Sequence, residues 1–128
     1  RNGDFVRDLI NIQCIAACHD ISDGGLATAA AEMAIAGNVG VALDAAAAGS
    51  VPLHAWLFGE DQARYLIATN KVKAILDLAT SAKVRASVIG ASVGDEISVA
   101  SFTMPLEDIR NTHESWMPNF MAPAEANL

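Results

Sequence analysis

The stretch LATAAAEMAIA, residues 26–36, constrains this chain more than any other. Alanine, leucine, glutamate and methionine are strong helix formers, and GNVG follows directly, so the run predicts a helix over Leu26–Ala36 with a glycine-marked stop. Leu26, Ala30, Met33 and Gly37 fall on one face, whose small residues permit close approach of neighbouring backbone.

Around it, helical and strand-like patterns alternate. GDFVRDLINI predicts a first helix with Phe5, Leu9 and Ile12 as its inner stripe, and CIAAC reads as a short buried strand leading into HDISDGG. VALDA predicts a strand with Val41 and Leu43 on one side, whereas the alanine-rich stretch from Ala45 to Pro52 reads as a loop. LHAWLF predicts a short helix, and ARYLIAT a strand rich in β-formers. Asn70 is the expected cap of the next helix, with Val72, Ile75, Leu76 and Ala79 facing inward. RASVIG and GDEISVA predict two further strands, with Val88, Ile97 and Val99 in the core. Pro105 opens a last helix, with Leu106, Ile109, His113 and Trp116 at helical spacing, and Pro118 is expected to end it. The alternation predicts an α/β fold, a partly parallel or mixed sheet covered by helices, as a single domain over residues 1–121 with a flexible tail at 122–128.

Composition narrows the function classes. A chain of 128 residues has room for one sizeable core, and 52% hydrophobic against 18% charged residues argues against disorder. A formal charge of −7 with only eight basic residues disfavours a nucleic-acid partner, because that association is driven by neutralising phosphates. No stretch approaches the roughly 20 apolar residues of a membrane helix, and the start carries no basic-then-apolar signal segment. The opening RNGDFVRDLI and the closing APAEANL lead us to expect a piece of a larger protein. Cys14 and Cys18 are the only cysteines; four apart on a helix they could meet, but two thiols do not make a zinc site. They are expected as buried free thiols in a reducing, cytoplasmic setting.

Two polar turns are candidates for chemistry. In HDISDGG, a cap at Asp23 would place Gly24 and Gly25 in the first helical turn, where backbone donors lack partners and can approach an anion. That gives a reason to accept a helix penalty of about 1 kcal/mol per glycine. Asp20 and Asp23 would repel a bare phosphate, so a phosphoryl ligand there calls for magnesium; sugar hydroxyls or an amine are the alternatives, and a capped turn with no chemistry also satisfies the pattern. His19 either orients one carboxylate or completes the strand end. In GEDQAR, Glu60, Asp61, Gln62 and Arg64 gather around one glycine, and Arg64 either binds phosphate or pairs with Glu60, unless the loop is simply a solvated turn. His113 and Glu114 point about 100° apart on a helix, and a helix end packed by Trp116 and Met117 is the expected reading there. There is neither a nucleophile elbow nor a Walker loop.

Three segments in order, AACHDISDGGLATAAAEMAIAG, LFGEDQARYLI and HESWMP, resemble the carboxyl-terminal part of the phosphoribosylformylglycinamidine synthase family, large synthetase subunit, within the wider aminoimidazole ribonucleotide synthetase superfamily. The resemblance runs from Asn2 to Met121. It implies an aminoimidazole ribonucleotide synthetase carboxyl-terminal-domain-like fold, the second such domain of a tandem ligase. That ligase converts formylglycinamide ribonucleotide to the amidine with ATP, magnesium and glutamine-derived ammonia, alongside a glutaminase subunit and a small accessory subunit. His19, Asp20, Ser22, Asp23, Gly24 and Gly25 match the family signature, and Glu60, Asp61, Gln62 and Arg64 match a loop that in the related first half looks like a substrate contact. Here that loop is implied to face a pseudo-symmetric site, auxiliary or structural in role, with ADP as its possible occupant. Ala63 stands where many members have glycine. No catalytic residue is implied within this chain, so it is expected to be inactive alone and, with faces uncovered, to dimerise when isolated. The alternative is a noncatalytic scaffold or auxiliary nucleotide-binding domain of the same superfamily; FGEDQARYL and HESWMP argue against its other ATP-dependent enzymes.

Overall fold

The structure, a computed structural model, describes residues 1–123. Helix α1 (Asn2–Asn11) leads to strand β1 (Ala17–Asp20), helix α2 (Gly25–Gly37) and strand β2 (Val41–Leu43). A 3-10 turn (Ala45–Ala48) and helix α3 (Leu53–Phe58) precede strand β3 (Tyr65–Ala68) and helix α4 (Val72–Ser81). Strands β4 (Gly90–Ser92), β5 (Glu96–Val99) and β6 (Phe102–Pro105) then run into helix α5 (Leu106–Met121). Two sheets form, a β1–β3 antiparallel ladder and a four-stranded sheet ordered β4-β2-β5-β6. In the larger sheet β2 runs parallel to β5 and antiparallel to β4, while β6 returns antiparallel to β5, so the sheet is mixed as expected.

Helix α2 occupies the centre, as its small residues require. Gly25, Leu26, Ala29, Ala30 and Ala34 are all buried. Leu26 and Ala29 cluster with Ile21 against Trp56, Leu66 and Ile89, which ties α2 to the ladder. Ala30 joins Leu43 and Leu57 against Val41, Leu53 and Val99, which ties it to α3 and the larger sheet. At its far end Arg110 of α5 donates to the Ile35 carbonyl at 3.3 Å and to the Asn38 side-chain oxygen Oδ1 at 2.8 Å, tying α5 to the end of α2.

Several expectations are corrected. Residues Cys14–Ala16 are not strand, because they complete the reversal after α1: Gln13 takes a left-handed conformation (φ 54°), and the amides of Gln13 and Cys14 reach back to Ile10 and Leu9. The strand therefore starts at Ala17 and is largely exposed, Cys14 and Cys18 do not share a helix, Cys18 is exposed, and Ile12 lies outside the core. The Ala45–Ala48 loop is a 3-10 turn capped by Asp44, whose carboxylate accepts from the Ala46 amide at 2.9 Å. Asn70 does not cap α4; the Thr69 hydroxyl accepts from the Lys71 amide instead, and Val72 is exposed. RASVIG contributes only its last residue to β4, and Val88 is exposed. Strand β6 (Phe102–Pro105) is an element the sequence did not predict, and it takes in Pro105, so α5 starts one residue later. Pro118 lies inside α5, where the exposed helix tolerates one lost hydrogen bond and Trp116 stacks on Phe120 across it, centroids 5.3 Å apart. Trp116 and Met117 are exposed rather than packed, and the tail expected over 122–128 lies, from residue 124 onward, outside the described residues.

Candidate functional site

The β1–β3 register pairs Asp20 with Tyr65 and His19 with Leu66, so the turn leaving β1 and the loop entering β3 lie at the same end of the ladder. Two hydrogen bonds join them: the Ile21 amide donates to the Arg64 carbonyl at 2.9 Å, and the Gly24 amide donates to Glu60 Oε1 at 2.9 Å. Asp20, Ser22, Asp23, Glu60, Gln62 and Arg64 consequently line one open cleft of about 340 Å³. Gly24 and Gly25 lie behind this wall at the start of α2, Asp61 is at its rim, and His19 faces the opposite side of the ladder.

The turn is built differently from the capped entrance that the spacing suggested. Asp23 makes no cap; Gly24 takes that position in a left-handed conformation (φ 80°), and Thr28 Oγ1 donates to its carbonyl at 3.1 Å. Gly25 is left-handed too (φ 70°), and a Cβ there would lie 2.7 Å from the Phe58 carbonyl carbon and 2.8 Å from the Leu57 oxygen. Close packing on the end of α3 thus requires this glycine. The Gly24 amide, which an external anion was expected to approach, already holds the Glu60 carboxylate. That carboxylate also sits favourably at the positive end of α2.

Arg64 does not pair with Glu60. Its Nη1 lies 3.5 Å from Asp61 Oδ2, on a carboxylate that is itself 80% exposed. Its Nε and Nη2 are buried and have no hydrogen-bond partner among the described residues. Buried polar atoms are satisfied in the great majority of cases, so these two donors stand out.

Behind the ladder, His19 is held at both ring nitrogens. Nε2 lies 2.7 Å from Glu32 Oε2 of α2, and Nδ1 lies 2.5 Å from the Asp20 carbonyl oxygen. The bond to the Asp20 carbonyl foremost, then the bond and charge of Glu32 and the charge of Asp20, raise the imidazole pKa above its ordinary value, against an opposing effect of burial. Sequence reasoning missed Glu32; its signal was available, as the lone charged residue in the Leu26–Ala36 alanine run. His19, Cys18, Asp20 and Tyr65 of the ladder face Arg7 of α1 across a second, shallower cleft of about 440 Å³. Although Cys18 is exposed as a residue, partial desolvation of its sulfur, aided by the Asp20 charge, pushes the thiol pKa up, so the cysteine is not poised as a thiolate. His113 and Glu114 are remote from both clefts, and Glu114 lies 3.7 Å from Arg110 on the same helix. Among the described residues no three His, Cys, Asp or Glu side chains gather as a metal-holding group, and no helix is long and apolar enough to cross a membrane.

Comparison with known proteins adds kinship to this geometry. The family described as "AIR synthase related protein, C-terminal domain" matches residues 3–101. The "Phosphoribosylformylglycinamidine synthase subunit PurL" of Caulobacter vibrioides is 45% identical over 127 residues, 98% of this chain but 17% of its own length. The chain therefore spans about a sixth of the relative it matches. Two Thermotoga maritima structures share the fold: PurL complexed with FGAR (TM-score 0.70) and PurL complexed with ATP (TM-score 0.69). Each is 16% identical, and each match covers 84% of this chain and 20% of the other.

Proposed function

The chain belongs to the family of AIR synthase related proteins, as one of their C-terminal domains, and from that membership we propose that it is the carboxyl-terminal domain of an ATP-dependent ligase of de novo purine biosynthesis. The reaction is conversion of formylglycinamide ribonucleotide to formylglycinamidine ribonucleotide with ammonia from glutamine. In this reading residues 1–121 form one unit of a much longer cytoplasmic enzyme. A glutaminase subunit and a small accessory subunit complete the complex, and ATP and magnesium supply the phosphoryl transfer that activates the amide oxygen, outside this chain. The length and identity of the Caulobacter match support the assignment, as do Thermotoga PurL structures complexed with FGAR and with ATP.

The local role rests on one observation, the unpartnered Nε and Nη2 of Arg64 beside the cleft. An anionic oxygen there would satisfy two donors that are costly to leave bare, by about 1–3 kcal/mol. Asp20, Asp23 and Glu60 around it suit sugar hydroxyls and oppose a polyphosphate. The donor set thus fits the ribose and single phosphate of a ribonucleotide better than the phosphate chain of ADP. A noncatalytic scaffold role is the second reading, favoured by the Glu60–Gly24 bond, which fills the turn from within.

Calorimetric titration of the chain separates these readings. Saturable heat with ribose 5-phosphate, reduced at least about tenfold in Arg64→Ala (the scale of a single charged contact, about 1.4 kcal/mol), supports the ribonucleotide cleft. Saturation with ADP and magnesium alone supports an auxiliary nucleotide site, and silence with both leaves the scaffold role. The chain by itself is expected to form no amidine from substrate, ATP and ammonia; turnover without added domains would overturn the partition of roles.

A further inference from the structure

The two hydrogen bonds of His19 carry a consequence for the whole ladder. The Asp20 carbonyl oxygen has no proton to give, so Nδ1, 2.5 Å away, must be the donor. A neutral imidazole has a single N–H, which that bond uses. Nε2 would then present a lone pair to Glu32 Oε2 at 2.7 Å, and two acceptors at that distance repel. Both contacts exist together only when the pair holds one further proton, on the ring or shared with the Glu32 carboxylate. We propose that His19 and Glu32 form a one-proton clamp that fastens the β1–β3 ladder to α2, making His19 a positioning residue whose protonation sets the alignment of the Asp20 and Arg64 sides of the cleft.

The connections through which the clamp acts are short. His19 pairs with Leu66 and Asp20 with Tyr65 across the ladder, and the next amide, Ile21, is bonded to the Arg64 carbonyl. Glu32 sits on α2, whose first residues meet Glu60 through Gly24. Opening the Nε2–Glu32 contact therefore releases one tie between the two halves of the cleft wall, while Leu66 packing on Leu26 and Ala29 keeps the fold. The charged and titratable groups facing the imidazole are Glu32 from α2, Asp20 at 3.8 Å and Cys18 from β1, Tyr65 from β3 and Arg7 from α1. The two carboxylates retain the proton, while the Arg7 guanidinium is bonded to Asp4. The imidazole pKa is raised in the folded chain, so this contribution to stability is fully present below the ordinary histidine pKa of about 6.5 and is lost as pH rises through the higher folded value. This proposal holds whichever ligand the cleft takes.

Proton-detected NMR titration of the three imidazoles in the 128-residue chain tests it, with His19→Gln used only to identify the His19 signal. The His19 midpoint is expected above the ordinary histidine value of about 6.5, to fall in Glu32→Gln, and to be shared by the backbone amides of Ile21, Gly24 and Arg64. A midpoint at or below that ordinary value in the unmodified chain would overturn the clamp without reference to any variant. So would a midpoint that Glu32→Gln leaves in place, given an unchanged circular dichroism spectrum. Amides that stay silent through the His19 transition would overturn its link to the cleft. Ribose 5-phosphate binding that fails at every pH leaves these readouts intact, so this inference and the ligand reading fail separately.

Discussion

At Gly25 a side chain has nowhere to go. The left-handed backbone already disfavours an L-residue by about 1–2 kcal/mol, and a Cβ would press on the Phe58 and Leu57 backbone, which has no rotamer to change. Gly25→Ala is expected to cost more than about 2 kcal/mol in urea denaturation. Gly94→Ala, at φ 68° with nothing within 4 Å, should show the conformational cost alone and serves as the comparison. If the two lose equally, the α3 contact contributes nothing. Ala63 presents the opposite case, since it adopts φ 60° with a side chain where many members of the resembled family have glycine. Ala63→Gly should therefore stabilise the chain by up to about 1 kcal/mol, read from the denaturation midpoint. Loss of stability there would mean that the Cβ carries packing that outweighs its strain.

Helices α1, α2 and α4 end by one shared device. Gln13, Asn38 and Lys83 each take left-handed φ values of 50–54° just past α1, α2 and α4. In each case the next amide reaches back into the last turn: Cys14 to Leu9, Val39 to Ala34, and Val84 to Ala79. Asparagine suits that conformation, whereas glutamine and lysine do not, so Gln13→Gly and Lys83→Gly should each raise stability by roughly 0.5–1 kcal/mol in thermal or urea melts. The same device explains what could be read from the sequence at this scale and what could not. Helix α2 was legible because propensity and a stop signal agree. The reversal after α1 reads as strand from the sequence because Gln13 is no recognised breaker and Cys14–Ala16 is apolar. Strand β6 was hidden for a related reason: Val99 pairs with Phe102 across a two-residue turn, Ala100–Ser101, with Ala100 at φ 52°. An Asn-Gly there would have announced the hairpin; alanine and serine do not. Fold class survived these errors because it depends on the alternation of elements rather than on their edges.

For the molecule as a whole, each polar turn was legible as a strand-to-helix or loop-to-strand junction, but their meeting was not, because the β1–β3 pairing joins residues more than 40 positions apart and register leaves no local mark. The unpartnered Arg64 nitrogens and the Glu32 partner of His19 are properties of that meeting, so they too had to wait for coordinates. Surface character, in contrast, follows from sums over the chain and yields a prediction about isolated molecules. Phe102 and Met104 of β6, with Trp116, Met117, Phe120 and Met121 of α5, are all exposed, Trp116 by 61% and Phe120 by 73%. All six lie beyond residue 101, where the family match ends. Apolar surface of this kind favours self-association, while a charge of −7 on each copy opposes it. The repulsion is screened within a Debye length of about 10 Å at 0.1 M salt, whereas the apolar attraction is not screened. Sedimentation of the isolated chain should therefore show mass rising with salt as well as with concentration, and Trp116→Gln with Phe120→Gln should return it to monomer at both. A monomer at every salt and concentration would mean that the apolar faces do not meet; association that survives the double substitution would place the contact elsewhere. Association that weakens with salt would make it electrostatic, through the few lysines and arginines meeting carboxylates of a second copy.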